Sequence, residues 1–266
     1  MEILNQKFNL KNIKTICLDL DGTLYIDSKL YPDTIKTLNY LRTKYKIAFV
    51  TNTTSKTSKN LIAEIRNFGI QIEHNELFNP VKIAEIVLKK NNHTSGKLII
   101  PDNIKNDFDW FEISETGNCL IVGDECYEKK IQDFHNFFRF LLKPDVKLYC
   151  LQKNRYYKAD GEFVFDMGPV TSLLEYSCDK QAIVLGKPSK TLFETISSLY
   201  DCRLDQMIMI GDDTEFDVLK VKEHGLFGIE VQTGKFIKEK SEMLCKKYGN
   251  KPDFSIKTIS ELNQIL

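Results

Sequence analysis

Short apolar runs alternate with stretches of helical periodicity along most of the chain. The first run, Ile13 to Leu18, ends on Asp19. Pro32 to Lys44 then places Ile35, Leu38 and Leu41 on one helical face. A second strand is predicted over Ile47 to Val50, ending at Thr51-Asn52. The helix after it passes through Leu61, Ile62, Ile65 and Phe68 and stops at Gly69. The same rhythm returns at Ala182 to Leu185, which runs into Gly186-Lys187-Pro188. Ser189 is placed to cap a helix through Phe193, Ile196 and Leu199. Met207 to Ile210 ends in Gly211-Asp212-Asp213, and Phe227 to Val231 is followed by Thr233-Gly234. Strands alternating with helices predict an α/β fold with a doubly wound, Rossmann-like parallel sheet.

Residues 79–181 have a different texture. They carry their own strand patterns (Lys97 to Ile100, Cys119 to Val122, Val146 to Cys150) and an aromatic-rich helix near Phe134 to Leu142. The expected division is residues 1–78 and 182–266 as one unit, with residues 79–181 as a second α/β unit inserted into it.

The chemistry concentrates at strand ends. Leu18-Asp19-Leu20-Asp21-Gly22-Thr23 takes an apolar strand straight into two carboxylates, with Gly22 free to turn the chain away. Open parallel sheets put their sites at such carboxyl ends. Gly211-Asp212-Asp213-Thr214-Glu215-Phe216-Asp217 is a second acidic strand end. Either one alone reads as an acidic turn or a helix start that suits the dipole. Together they crowd one sheet edge with carboxylates that repel, which a hard, oxygen-ligated cation such as Mg²⁺ relieves. Thr51-Asn52 offers a hydroxyl, an amide and backbone N–H groups at an expected helix start, suited to a phosphate. Lys187 offers a cation. Singly, these are ordinary turn and surface chemistry.

Composition removes several alternatives. The 266 residues carry 37 basic and 37 acidic side chains, so no net positive field favours a nucleic-acid partner. Hydrophobic residues are 42%, enough for a sizeable core. No run of 18 apolar residues predicts a membrane span, and Met1 to Leu10 lacks the apolar stretch of a secretory signal. Seven cysteines with no C-x-x-C pair fit free thiols in a reducing cytoplasm. The four histidines include no H-E-x-x-H, which argues against a zinc hydrolase. Cys150 and Arg155 are one residue too close for a Cys-x5-Arg phosphatase loop.

The order D-L-D-G-T-L (Asp19 to Leu24), V-T-N (Val50 to Asn52), G-K-P (Gly186 to Pro188) and G-D-D-x-x-x-D (Gly211 to Asp217) resembles the four motifs of the haloacid dehalogenase superfamily. The paired Asp19 and Asp21 look like its phosphatase form. Only 29 residues separate Asp21 from Thr51, whereas 134 separate Asn52 from Lys187. The insertion therefore resembles the type-two α/β cap of subfamily IIA. Further stretches resemble one corner of that subfamily: V-T-N-T-T (Val50 to Thr54), R-Y-Y-K (Arg155 to Lys158), L-E-Y (Leu174 to Tyr176) and T-G-K (Thr233 to Lys235). Phe216, Leu219, Lys220 and Val221 depart from it, standing where relatives carry an acidic residue and small residues.

The resemblance implies a Mg²⁺-dependent phosphatase of small phosphorylated metabolites, with P–N bonds and pyrophosphate as additional targets. Asp19 is then the nucleophile and Asp21 the acid and base. Thr51, Asn52 and Lys187 hold the phosphoryl oxygens. The metal ligands are Asp19, the Asp21 carbonyl and Asp212, with Asp213 and Asp217 behind them. A phosphotransferase using the same intermediate and a non-catalytic phosphate-binding module are the alternatives. No membrane partner is expected, and a homodimer is compatible with the pattern. Arg155, Tyr156 and Tyr157 are pocket candidates through the resemblance, with a surface strand as the other reading. Trp110, with Phe108 and Phe111, reads as packing rather than a substrate wall.

Overall fold

The computed structural model describes residues 12–159 and 162–266. The reading of Met1 to Leu10 lies outside the described residues. In chain order the main elements are β1 (Thr15–Leu18), α1 (Thr34–Arg42), β2 (Lys46–Val50), α2 (Ser58–Asn67), β3 (Leu77–Phe78), α3 (Pro80–Lys90), β4 (Ser95–Ile99), β5 (Glu112–Ile113), β6 (Cys119–Val122), α4 (Phe134–Leu141), β7 (Lys147–Cys150), β8 (Tyr156–Ala159), β9 (Glu162–Phe165), α5 (Met167–Cys178), β10 (Ile183–Val184), α6 (Lys190–Tyr200), β11 (Met207–Gly211), β12 (Phe227–Val231), α7 (Lys238–Tyr248) and β13 (Phe254–Ile256).

Two parallel sheets result. The first has six strands in the order β13-β12-β11-β1-β2-β3. Strand order reverses between β1 and β11, the position where open α/β sheets open a crevice. Every residue of β1 and β11 is buried, as central strands covered on both faces must be. Each Ile or Leu there contributes about 1.5–3 kcal/mol by leaving water. The second sheet has five strands in the order β10-β7-β6-β4-β5. β8 and β9 form a separate antiparallel hairpin.

Helix boundaries follow local chemistry. Asn79 caps α3 by accepting the Lys82 N–H at 2.9 Å, and Pro80 fills the first helical position, where its missing N–H costs nothing. Ser189 caps α6, accepting the Leu192 N–H at 3.3 Å. Asp33 precedes α1 in the left-handed region, so the helix is shorter than its apolar spacing predicts.

Packing divides the chain into two compact units. Among the described residues, one comprises 12–51, 62–78 and 193–266; the other comprises 52–61, 79–159 and 162–192. One strand expectation is corrected. The strand read at Ala182 to Leu185 exists as β10, but it pairs with β7 in the second sheet and not in the sheet that carries Asp19. No helix among the described residues is long and apolar enough to cross a membrane.

Candidate active site

The first unit gathers most of the acidic residues. β1 delivers Asp19, whose N–H still donates to the Ile210 carbonyl at 2.9 Å, so the pairing with β11 runs on to the site. The Asp19 side chain is buried and accepts the Thr23 hydroxyl at 3.3 Å. Gly22 then turns the chain at φ +82°, and its N–H closes on the Tyr25 carbonyl at 2.7 Å. A side chain at Gly22 would meet both a left-handed backbone and the Asp212 carboxylate. Asp21, between them, reaches solvent. Desolvation of part of its carboxyl, and after that the Asp19 charge, push its pKa above the usual carboxylate range.

β11 delivers Asp212, which is 1% exposed. The chain then enters a turn of π-helix, Thr214–Leu219. Such turns are rare and gather at functional sites, and this one carries Asp217, 2% exposed. Gly211 is needed for close approach, because a Cβ there would strike the Asp217 side chain. Ligand oxygens of Asp19, Asp212 and Asp217 all lie within 4.8 Å of one another. The sequence placed Asp217 behind the metal ligands; in the fold its carboxylate falls within the same 4.8 Å as those of Asp19 and Asp212. Asp213, expected beside it, caps the π-helical turn: its Oδ1 accepts the Glu215 and Phe216 N–H groups, each at 3.1 Å.

Three buried carboxylates at this range are mutually destabilising without a positive charge. Their oxygens are hard donors, and they follow adjacent central strands. The donor set therefore fits Mg²⁺, which is bound through a small number of carboxylates and keeps several waters.

Thr51 follows β2 and is buried, with its N–H on the Phe78 carbonyl at 3.1 Å. The expected helix start at Thr51-Asn52 is corrected: α2 begins only at Ser58, whose N–H is taken by Asp107 at 2.8 Å. A loop intervenes, so no helix terminus lies at Thr51.

The second unit holds Asn52 and Lys187 together. Asn52 Oδ1 accepts the Lys187 N–H at 2.7 Å, and its Nδ2 donates to the Lys187 carbonyl at 3.0 Å. Both polar groups of the Lys187 backbone are thus held by one side chain, and Lys187 is 5% exposed. A Cβ on Gly186 would lie 2.6 Å from Asn52 Oδ1, so the glycine is what admits the clamp. This pairing was not legible in sequence, since 134 residues separate the partners. A second contact was missed as well: the Thr54 hydroxyl lies 2.7 Å from both oxygens of Asp124. Burial pushes the Asp124 carboxyl up. Its one sequence signal was the V-T-N-T-T stretch that contains Thr54.

The aromatic expectations resolve separately. Trp110 lies 5.9 Å from Phe108 and 5.6 Å from Phe111, ring to ring, and donates its indole N–H to the Asp107 carbonyl, so the three are packing. Tyr156 and Tyr157 are exposed on β8, with the Tyr156 ring 5.2 Å from Phe163.

Comparison with known proteins agrees with this geometry. Residues 16–134 match a family described as haloacid dehalogenase-like hydrolase, and residues 184–262 match one described as HAD-hydrolase-like. The phospholysine phosphohistidine inorganic pyrophosphate phosphatase of Danio rerio is 30% identical over 85% of this chain and 86% of its own. The haloacid dehalogenase-like hydrolase domain-containing protein 2 of Mus musculus is 31% identical over 84% of this chain and 86% of its own. Among solved structures, a 4-nitrophenylphosphatase from Thermotoga maritima superposes with a TM-score of 0.82 at 24% identity, covering 96% of this chain and 98% of that one. A p-nitrophenyl phosphatase from Archaeoglobus fulgidus gives 0.85 at 18% identity, with 96% and 99% covered. With its motifs spread across both units and relatives matched over most of its length, the chain belongs to the haloacid dehalogenase-like hydrolases.

Proposed function

We propose that this hydrolase is a Mg²⁺-dependent phosphatase of small phosphorylated molecules, working through an aspartyl-phosphate on Asp19. The observation that carries the reading is the cluster of buried Asp19, Asp212 and Asp217 carboxylates within 4.8 Å, with Asp21 reaching solvent two residues from Asp19. Asp19, the Asp21 carbonyl and Asp212 would hold the metal, with Asp217 joining or supporting them. When bound, Mg²⁺ supplies the positive charge that lets a phosphate dianion approach these acids.

The protein's own groups then divide the work. An Asp19 carboxylate oxygen attacks phosphorus, and the bond from phosphorus to the leaving oxygen breaks. Asp21 gives that oxygen its proton. The same carboxylate next takes a proton from water, which attacks phosphorus and breaks its bond to Asp19. Inorganic phosphate leaves and both aspartates return to their starting state. Thr51 and the Asn52 N–H are assigned the phosphoryl oxygens, and Lys187 the charge on them. Little covalent chemistry is asked of the protein beyond this; positioning and charge carry the rate.

The relatives' names support the class of substrate: one is named for phospholysine, phosphohistidine and inorganic pyrophosphate, and two proteins of the same fold for nitrophenyl phosphate. The test is a set of initial rates with Mg²⁺ on an aryl phosphate, pyrophosphate, a phosphoramidate, sugar phosphates, nucleoside monophosphates and a phosphorylated folded protein. Small substrates should be turned over, excess chelator should abolish the rate and Mg²⁺ should restore it. Fastest kcat/KM on the folded protein would overturn the substrate class. Transfer to added alcohols in preference to water would make the chain a phosphotransferase, and tight phosphate binding without turnover would make it a binding module.

A further inference from the structure

The Thr233-Gly234-Lys235 turn after β12 has no part in the chemistry above, yet it touches both acidic strand ends. The Lys235 N–H donates to Asp212 Oδ2 at 2.6 Å. The Thr233 hydroxyl donates to the Gly22 carbonyl at 2.5 Å. That carbonyl is one peptide beyond the Asp21 carbonyl assigned to the metal. The Gly234 N–H donates to the Tyr31 hydroxyl at 3.3 Å, and the Phe236 N–H closes the turn on the Thr233 carbonyl at 3.0 Å. Backbone meets backbone here without room for a side chain: a Cβ on Gly234 would strike Asp212 and the Gly22 Cα. Gly234 also sits at φ +53°, in the left-handed region.

We propose that Thr233, Gly234 and Lys235 form a clasp that positions the metal site, locking the rotation of the Asp212 carboxylate to the Asp21–Gly22 turn. The proposal rests on the Mg²⁺ reading above and extends it to residues outside the set assigned there to substrate and metal. A carboxylate pinned through one oxygen presents the other in a fixed direction. A turn held through Gly22 fixes the neighbouring carbonyl. Mg²⁺ demands near-octahedral ligands, so looseness in either donor weakens it more than it would a larger, more tolerant ion. Partners that orient ligands commonly govern affinity as strongly as this.

Thr233 is the residue to change, since its hydroxyl is one defined bond and valine keeps its shape. Two measurements on purified full-length protein test the clasp. Calorimetric Mg²⁺ titration should show binding about tenfold weaker in Thr233→Val and within about twofold of wild type in Thr233→Ser. Hydrogen exchange on chelated, metal-free protein should show faster exchange over residues 22–24 and at Lys235 in Thr233→Val only. Equal Mg²⁺ affinity and equal exchange in wild type and Thr233→Val would overturn the clasp. Wild-type protein that binds no Mg²⁺ would overturn the metal reading, while the exchange result would still decide whether the turn holds the two strand ends. Weakening by Thr233→Ser as severe as by Thr233→Val would assign the effect to packing and overturn the role of the hydroxyl.

Discussion

Asp19 and Asp21 are separated by a single residue and stand in opposite surroundings. Asp19 is buried beside two further carboxylates, while Asp21 reaches solvent at a turn. In the proposed mechanism that difference suits one to the role of nucleophile and the other to exchanging protons with a leaving group and water. That both carboxylates follow a buried central strand was legible from an apolar run leading into D-L-D-G. The Asn52 clamp was not, because an amide's partner with 134 residues between them leaves no trace in local pattern. Its consequence is testable. Asn52→Ala removes two bonds to the Lys187 backbone and leaves those groups unsatisfied, at about 1–3 kcal/mol. Thermal melting should fall by several degrees and kcat should drop with it. An unchanged melting temperature would show that the clamp contributes nothing.

At the scale of elements, strand and helix identities followed the apolar periodicity, but sheet membership did not. β10 is two half-buried residues long. Both sheets accept parallel strands of that kind, so only the pairing with β7 decides where it belongs. The π-helical turn was equally invisible. Its sequence, Thr214 to Leu219, reads as an ordinary helix start, and only the extra residue in the turn shows how Asp217 swings toward Asp19 and Asp212. The turn is braced from several sides. The Thr214 hydroxyl donates to Glu230 on β12 at 2.6 Å, and Ser241 and Ser255 donate to the same carboxylate at 2.8 and 2.9 Å. The Lys220 ammonium pairs with Glu215 at 3.2 Å and lies 4.6 Å from the centre of the Phe216 ring. At the start of the turn, Asp213 satisfies two N–H groups. Asp213→Ala should therefore cost about 1–2 kcal/mol, the usual worth of such a cap. Urea denaturation should show a lower midpoint, and activity should fall far less than on loss of Asp19. No shift in midpoint would contradict the capping role.

Across the whole molecule, seven free cysteines are distributed through both units, and Cys17, Cys119, Cys126 and Cys150 are buried. Desolvation pushes the Cys119 and Cys150 thiols up to about 12, and Cys17 and Cys126 higher still. A thiol raised on folding stabilises the native state at full strength below its unfolded pKa, near 8.5. That contribution drains away as pH rises from there toward the folded value. Stability should accordingly decline above about pH 8.5. Alkylation at pH 8 should spare these four thiols until the protein is unfolded. Rapid native-state alkylation of Cys150 would contradict the burial.

All of this chemistry depends on Asp19 being the atom-bearing nucleophile of a metal-assisted phosphatase. The most direct measurement is the rate of aryl phosphate hydrolysis in saturating Mg²⁺ by wild type and by Asp19→Asn, which keeps the shape and removes the attacking charged oxygen. The expected result is turnover by wild type and a loss of at least about three orders of magnitude in the variant, as removal of a covalent nucleophile produces. Near-wild-type turnover by folded Asp19→Asn would contradict it.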